Sequence, residues 1–172
     1  MGSFYTNITV IGGSADRVAA ELRDLRRRAY LADFNGTCVV YDQECEKQDT
    51  QVLAALAEHL ATRLAARCFA ALNHDDDILW FQLYDGPDLV AEYANRGGPK
   101  TNVTALCRAL GKPGSVVHAW FLLHLPFLFQ VTRHLRLARL LGLPEASVGS
   151  GYTYISRGEM PVGVEKGRLV QI

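Results

Sequence analysis

Several features that would name a function are missing from this chain. Its four cysteines, Cys38, Cys45, Cys68 and Cys107, form no C-x-x-C pair and show no zinc-finger spacing to a histidine. They read as buried free thiols of a reducing compartment, which places the expected location in the cytoplasm. Net charge is also missing, with 18 Lys and Arg against 18 Asp and Glu. A neutral chain has no long-range field to gather nucleic acid or an anionic membrane surface, so neither is expected as a partner. The apolar run at residues 116–131 is too short to span a bilayer and holds Pro126, His118 and His124.

Processing signals are absent too. Met1-Gly2-Ser3 leads straight into strand-like sequence, without the basic start and apolar core of a secretory signal. The sequons Asn7-Ile8-Thr9, Asn35-Gly36-Thr37 and Asn102-Val103-Thr104 are therefore expected to stay unmodified. The formal match of residues 1–6 to a myristoylation pattern is read as a plain start, since one acyl chain anchors weakly and no second anchor follows. There is no H-E-x-x-H motif. Gly12-Gly13-Ser14 lacks the further glycines of a phosphate-binding loop, and Gly149-Ser150-Gly151 lacks the frame of a nucleophile elbow. No metal and no cofactor is expected.

What is present is a foldable α+β pattern. With 49% hydrophobic and 21% charged residues, the chain has enough apolar matter for a core and too little charge for disorder. Its length suits a single domain over residues 1–172. Residues 4–11 alternate, with Phe4, Thr6, Ile8 and Val10 on one face and Tyr5, Asn7 and Thr9 on the other, which predicts a strand. Ser14 caps a helix to Arg28, with Arg26-Arg27-Arg28 in its last turn. Residues 30–34 and 37–41 flank Asn35-Gly36, a pair that favours a tight hairpin. Asp49 or Thr50 caps a second helix to about Arg67, with Leu53, Leu56, Leu60 and Leu64 at helical spacing. Strands follow at 68–72, 78–84 and 89–94.

The order strand, helix, strand, strand, helix, strand over residues 4–72 predicts a ferredoxin-like split βαβ core, an antiparallel sheet with its helices on one face. The later strands extend that sheet, over 4–94, as a meander. Beyond the break at 95–101 the pattern turns helical. Helices are expected at 102–110, 116–125 and 134–141, the last capped by Thr132, forming a cap over 102–155, with a glycine-punctuated tail at 156–172.

Two acidic loops are the polar candidates. Asn73-His74-Asp75-Asp76-Asp77 joins two strands, and Asp42, Glu44, Glu46 and Asp49 lie between a strand and a helix. Consecutive residues point opposite ways on an extended chain, and no calcium-loop spacing is present, so turn chemistry explains much of both. If the loops face one cleft, they would form an acidic surface for a partner. His118 and His124 fall about 120° apart on a helix and make no ligand pair, and His134 reads as a core or boundary histidine. Arg133, Arg136 and Arg139 form a ridge read as a solvated face. The 116–131 run, apolar all round, is expected to be buried on every face or to meet another chain.

The expected function is a non-enzymatic binding protein that recognises a protein partner, as small inhibitor or immunity proteins do, or that self-associates. The contacts would come from His74, Asp75, Asp77, Glu44 and Glu46, or from the apolar helical surface. Two alternatives stand beside it. One is a small metal-dependent or acid–base enzyme with a site near His74, Asp75 and Asp77. The other is an apolar-ligand binder built from Trp80, Trp120, Tyr152 and Tyr154.

Overall fold

Strands that are apolar on both faces require a sheet covered twice. In the computed structural model, which describes residues 2–98, 101–126 and 128–172, that is the arrangement found. Among the described residues there are seven strands and six α-helices. The strands are β1 (Phe4–Ile11), β2 (Ala29–Asp33), β3 (Thr37–Asp42), β4 (Arg67–His74), β5 (Ile78–Asp85), β6 (Asp88–Ala94) and β7 (Leu169–Gln171). They form one open antiparallel sheet in the order β6-β5-β4-β1-β3-β2-β7.

On one face lie α1 (Ala15–Asp24) and α2 (Thr50–Leu64). Val18 and Leu22 of α1 and Leu53, Leu60 and Leu64 of α2 pack on Ile8, Val10, Leu31, Val40 and Ala70. On the other face lie α3 (Val103–Ala109), α4 (Val116–His124) and α5 (Gln130–Leu141), packed against Tyr5, Phe69, Phe81 and Leu83. A third cluster seats Ala146 and Ile155 of α6 (Tyr152–Ser156) and its approach on Ala32, Val39 and Tyr41. The period-2 alternation of β1 holds, but its polar face is buried as well. Asn7 spends its amide on the carbonyls of Ser147 and Ser150, 2.8 and 3.3 Å away.

The Asn35-Gly36 turn forms as expected: Asn35 and Gly36 both take positive φ, 54° and 98°, and Phe34 N–H donates to Thr37 O at 2.8 Å. β4, β5 and β6 form the expected meander, with a bulge between Leu83 and Tyr84.

Four expectations are corrected. α1 stops at Asp24, because Arg26 turns to a φ of 54° and the chain reverses toward β2, so Arg26-Arg27-Arg28 lies beyond the helix. α2 ends at Leu64, three residues short of Arg67, where Ala65 takes a φ of 50°. α5 begins at Gln130, four residues before the expected start at His134, so Thr132 lies inside the helix. The stretch read as a tail contains β7, which pairs Leu31 with Val170 and closes the β2 edge.

Candidate functional site

The two acidic loops do meet. β4 and β5 are joined by the three residues Asp75, Asp76 and Asp77; Asp75 and Asp76 take φ of 53° and 55°, and Asp77 N–H donates to His74 O at 3.0 Å. Asp and Asn tolerate this left-handed backbone, which is why two aspartates occupy it without glycine. Asn73 Oδ1 accepts from Asp76 N–H at 3.2 Å and stiffens the turn. Asp77 leaves it sideways to pair with Arg96 at 2.5 Å. Asp75 and Asp77 therefore stand away from the cleft that His74 enters.

The other loop spends its acids internally. Asp42 is buried and receives Arg27 Nε and Nη2 at 2.9 and 2.5 Å, together with the backbone N–H groups of Glu44 and Cys45. Glu44 shares the same guanidinium at 2.5 Å. Asp49 caps α2 by accepting from Gln51 and Val52 N–H. Glu46 turns inward to accept from Tyr152 and Thr153 N–H at 3.2 and 3.3 Å, and from the Thr6 hydroxyl. Burial pushes the Glu46 carboxyl up, against the N–H groups of Thr153 and Tyr152 that hold it down. Gly151 permits this approach, since a Cβ there would sit 2.7 Å from both Glu46 oxygens.

A cleft of about 570 Å³ opens where these parts come together. Phe4 of β1 and His74 of β4 form one wall. Glu46, Lys47 and Gln48, together with Thr153, Tyr154 and Arg157, complete the lining. His74 Nδ1 is bonded to Gln48 Oε1, and Gln48 Nε2 donates to Asn73 O at 3.1 Å. Because that amide nitrogen must donate to a carbonyl, its oxygen faces the imidazole, so Nδ1 carries the hydrogen and Nε2 is left for other partners. Phe4 stands edge-on to the imidazole with ring centroids 5.0 Å apart.

Glu44 stays outside this lining. The aromatic residues of the ligand-binder reading do not converge either. Trp80 packs toward the α1–α2 face, Trp120 points outward from α4, Tyr152 lies against Tyr30, and Tyr154 alone lines the cleft. Among the described residues, no three His, Cys, Asp or Glu side chains gather as metal ligands. All four cysteines are buried and free.

The 116–131 run departs from expectation. α4 buries only Ala119 and Leu123 fully, while Val117, Trp120, Phe121, Leu125 and Phe129 are exposed, Phe121 to 54% and Phe129 to 72%. One side of α4 lies against α3 and α5, with the Tyr93 hydroxyl of β6 donating to Leu123 O, and its other side is exposed among the described residues. His124 stacks on Trp120 at 4.3 Å. A groove of about 620 Å³ runs between Phe121 and Leu122 of α4 and Arg136, Arg139 and Leu140 of α5.

The arginine ridge is also split. Arg133 is buried, donating to the carbonyls of Leu122 and Leu125 at the C-terminal end of α4 and to Gln130 Oε1. A guanidinium suits that end of a helix, where unsatisfied carbonyls gather. Arg139 pairs with Glu145, and Arg136 is exposed beside the groove. Arg133→Met is expected to cost about 2 kcal/mol by stranding those carbonyls. Urea unfolding and amide exchange check it; unchanged protection of the α4 amides would show that Arg133 does not anchor the helix.

One signal was available in the sequence and passed over. Between Glu92 and Glu145 there is no acidic residue, while Arg96, Lys100, Arg108, Lys112, Arg133, Arg136 and Arg139 all fall there. Overall neutrality conceals a basic helical segment that presents exposed aromatics. Comparison with protein-family models, curated proteins and solved structures finds no match for this chain.

Proposed function

We propose that the chain is a non-enzymatic binding protein that docks a protein partner on the outward face of α4 and its groove with α5. The observation that carries this reading is the exposed apolar row Val117, Trp120, Phe121 and Leu125, continued by Phe129. Large apolar side chains gathered on one exposed face are unfavourable in water, and interfaces are enriched in such aromatic anchors. The acidic loops lose weight as the contact surface, because Asp42, Glu44, Glu46, Asp49 and Asp77 are engaged inside the chain. The acid-free segment that holds α4, with Arg136 exposed beside the groove, favours a partner with carboxylates around its own apolar patch, and disfavours two copies meeting α4 to α4, since like charges would face each other.

The test uses a photo-crosslinker in place of Val117 and capture from the native host. A single stoichiometric protein is expected at that position. Trp120→Ala together with Phe121→Ala is expected to weaken it about a hundredfold, as loss of two central anchors does. A partner retained at full affinity by that variant, or crosslinked only to the acidic loops, would refute the α4 docking face. Concentration-dependent sedimentation of the chain alone would point to self-association.

A specific observation favours a second reading, an acid–base enzyme. His74 and Glu46 share one cleft, Gln48 orients the imidazole, and burial raises the carboxyl. Asp75 and Asp77 have no part in it.

The core is proposed as a ferredoxin-like split βαβ unit. The order β4-β1-β3-β2 and the packing of α1 and α2 on one face support it. A reducing compartment is likewise proposed, supported by four buried free thiols.

A further inference from the structure

The geometry points to the cleft between Phe4, His74, Gln48, Tyr154, Lys47 and Arg157 as a binding site for a small organic anion, an apolar body carrying one carboxylate or phosphate group. This site shares no residue with the α4 face and does not depend on it.

Three observations converge. The first is size: about 570 Å³ lies in the range that holds small ligands. The second is the distribution of charge. Lys47 and Arg157 line the cleft, and among the described residues neither meets a carboxylate at ion-pairing distance. Glu46 is the one acid of the lining, and its oxygens are turned to Tyr152 and Thr153 N–H. Two cations thus line the cleft with no ion-pair partner among the described residues, against one carboxylate that is bonded elsewhere, and a guanidinium and an ammonium suit an oxyanion.

The third observation is the pairing of an apolar wall with a directed polar atom. Phe4 is half-exposed and edge-on to His74, and its N–H donates to the Tyr154 hydroxyl at 3.3 Å, which joins the two rings across one end. The Gln48 amide, fixed by Asn73 O, leaves His74 Nε2 without a protein partner among the described hydrogen bonds. A ring or short alkyl body would lie on Phe4 and Tyr154, with its head group toward Lys47 and Arg157 and His74 Nε2 alongside.

The test is a solution NMR titration of the intact chain, following the His74 imidazole and Phe4 ring resonances. Benzoate and phenyl phosphate are the probes and benzyl alcohol is the neutral control. Saturable shifts of both resonances are expected with one or both anions, and none with benzyl alcohol; whichever anion saturates at lower concentration tells carboxylate from phosphate. Lys47→Ala with Arg157→Ala, both exposed and therefore tolerable to the fold, is expected to weaken binding at least about tenfold. Lys47→Glu is expected to weaken it as much or more. The proposal is overturned if neither anion gives a saturable shift, if benzyl alcohol shifts the same resonances equally, or if the cation variants bind as the parent does.

Discussion

Asp42→Ala is expected to lower stability by about 3–5 kcal/mol, the range found when one partner of a buried ion pair is removed. The Asp42 side chain is only 2% exposed, and its carboxylate serves four donors at once, two from Arg27 and the N–H groups of Glu44 and Cys45. Removing it leaves a largely enclosed guanidinium with only the exposed Glu44 carboxylate as counter-charge, and frees the backbone where β3 turns into the Cys45–Lys47 helical turn. Against the 5–15 kcal/mol that usually holds a domain together, this is a large fraction. Urea unfolding of the parent, Asp42→Ala and Asp42→Ala with Arg27→Met checks it. The double variant should recover part of the loss, because no enclosed charge remains and the unpaired Glu44 is exposed to water. A single-variant cost below about 1 kcal/mol would mean that Arg27 finds water readily and that the pair is a surface feature. Because Glu46, Lys47 and Gln48 follow directly, the same variant should also blur the cleft resonances.

Acid should destabilise the protein through His134 before the carboxylates titrate. The imidazole is fully buried, and burial pulls it down from 6.5 to about 4. The Tyr5 hydroxyl is hydrogen-bonded to Nδ1 at 2.8 Å, and burial pushes that hydroxyl up, so it stays neutral beside the ring. Nε2 has no partner among the described residues, deep against Phe69, so a second ring proton would be left unsatisfied. The folded state therefore binds this proton less readily than the unfolded one. Stability is fully present above about pH 6.5 and declines as pH falls toward 4, by about 3 kcal/mol in all. Asp76 lies near enough to raise Tyr5 further. Unfolding free energies at pH 7, 6, 5 and 4.5 for the parent and for Tyr5→Phe with His134→Leu check the sign. The variant should lose the slope between pH 6.5 and 5. Equal slopes in both proteins would place the acid sensitivity elsewhere.

Local chemistry was legible wherever neighbours in the chain decide the outcome. Asn35-Gly36 announces its turn because both residues tolerate positive φ, and Asp49 announces α2 because its carboxylate reaches N–H groups two and three residues on. The leucines of α2 mark its buried stripe at the spacing of a helix. β7 was not legible: three residues among glycines carry little periodicity, and they become a strand only because β2 offers an open edge. The α4 run misled for a related reason. An all-apolar helix suggests burial on every side, but here the sheet and α5 cover only one side.

The candidate site divides the same way. Composition and turn chemistry pointed to the 42–49 and 73–77 loops, and both contribute to a cleft. That they meet, through Gln48 and His74, depends on β4 lying beside β1 in the sheet. Thr153, Tyr154 and Arg157 of the lining come from a segment about eighty residues beyond His74 and have no sequence signature of their own. Which charges are free was equally hidden. Arg133 and Arg136 look alike in sequence, yet one is buried on the α4 carbonyls and the other faces outward.

By itself the sequence determined the order of the elements from β1 to α5, the tight turns and the neutral composition, because these follow from residue content, side-chain period and hydrogen bonds a few residues long. Only the tertiary structure decided which acids are spent internally, which cations stay unpaired, and that an apolar helix keeps one face in water. Those are questions of distance between residues far apart in the chain, and charge and exposure take their meaning from that distance.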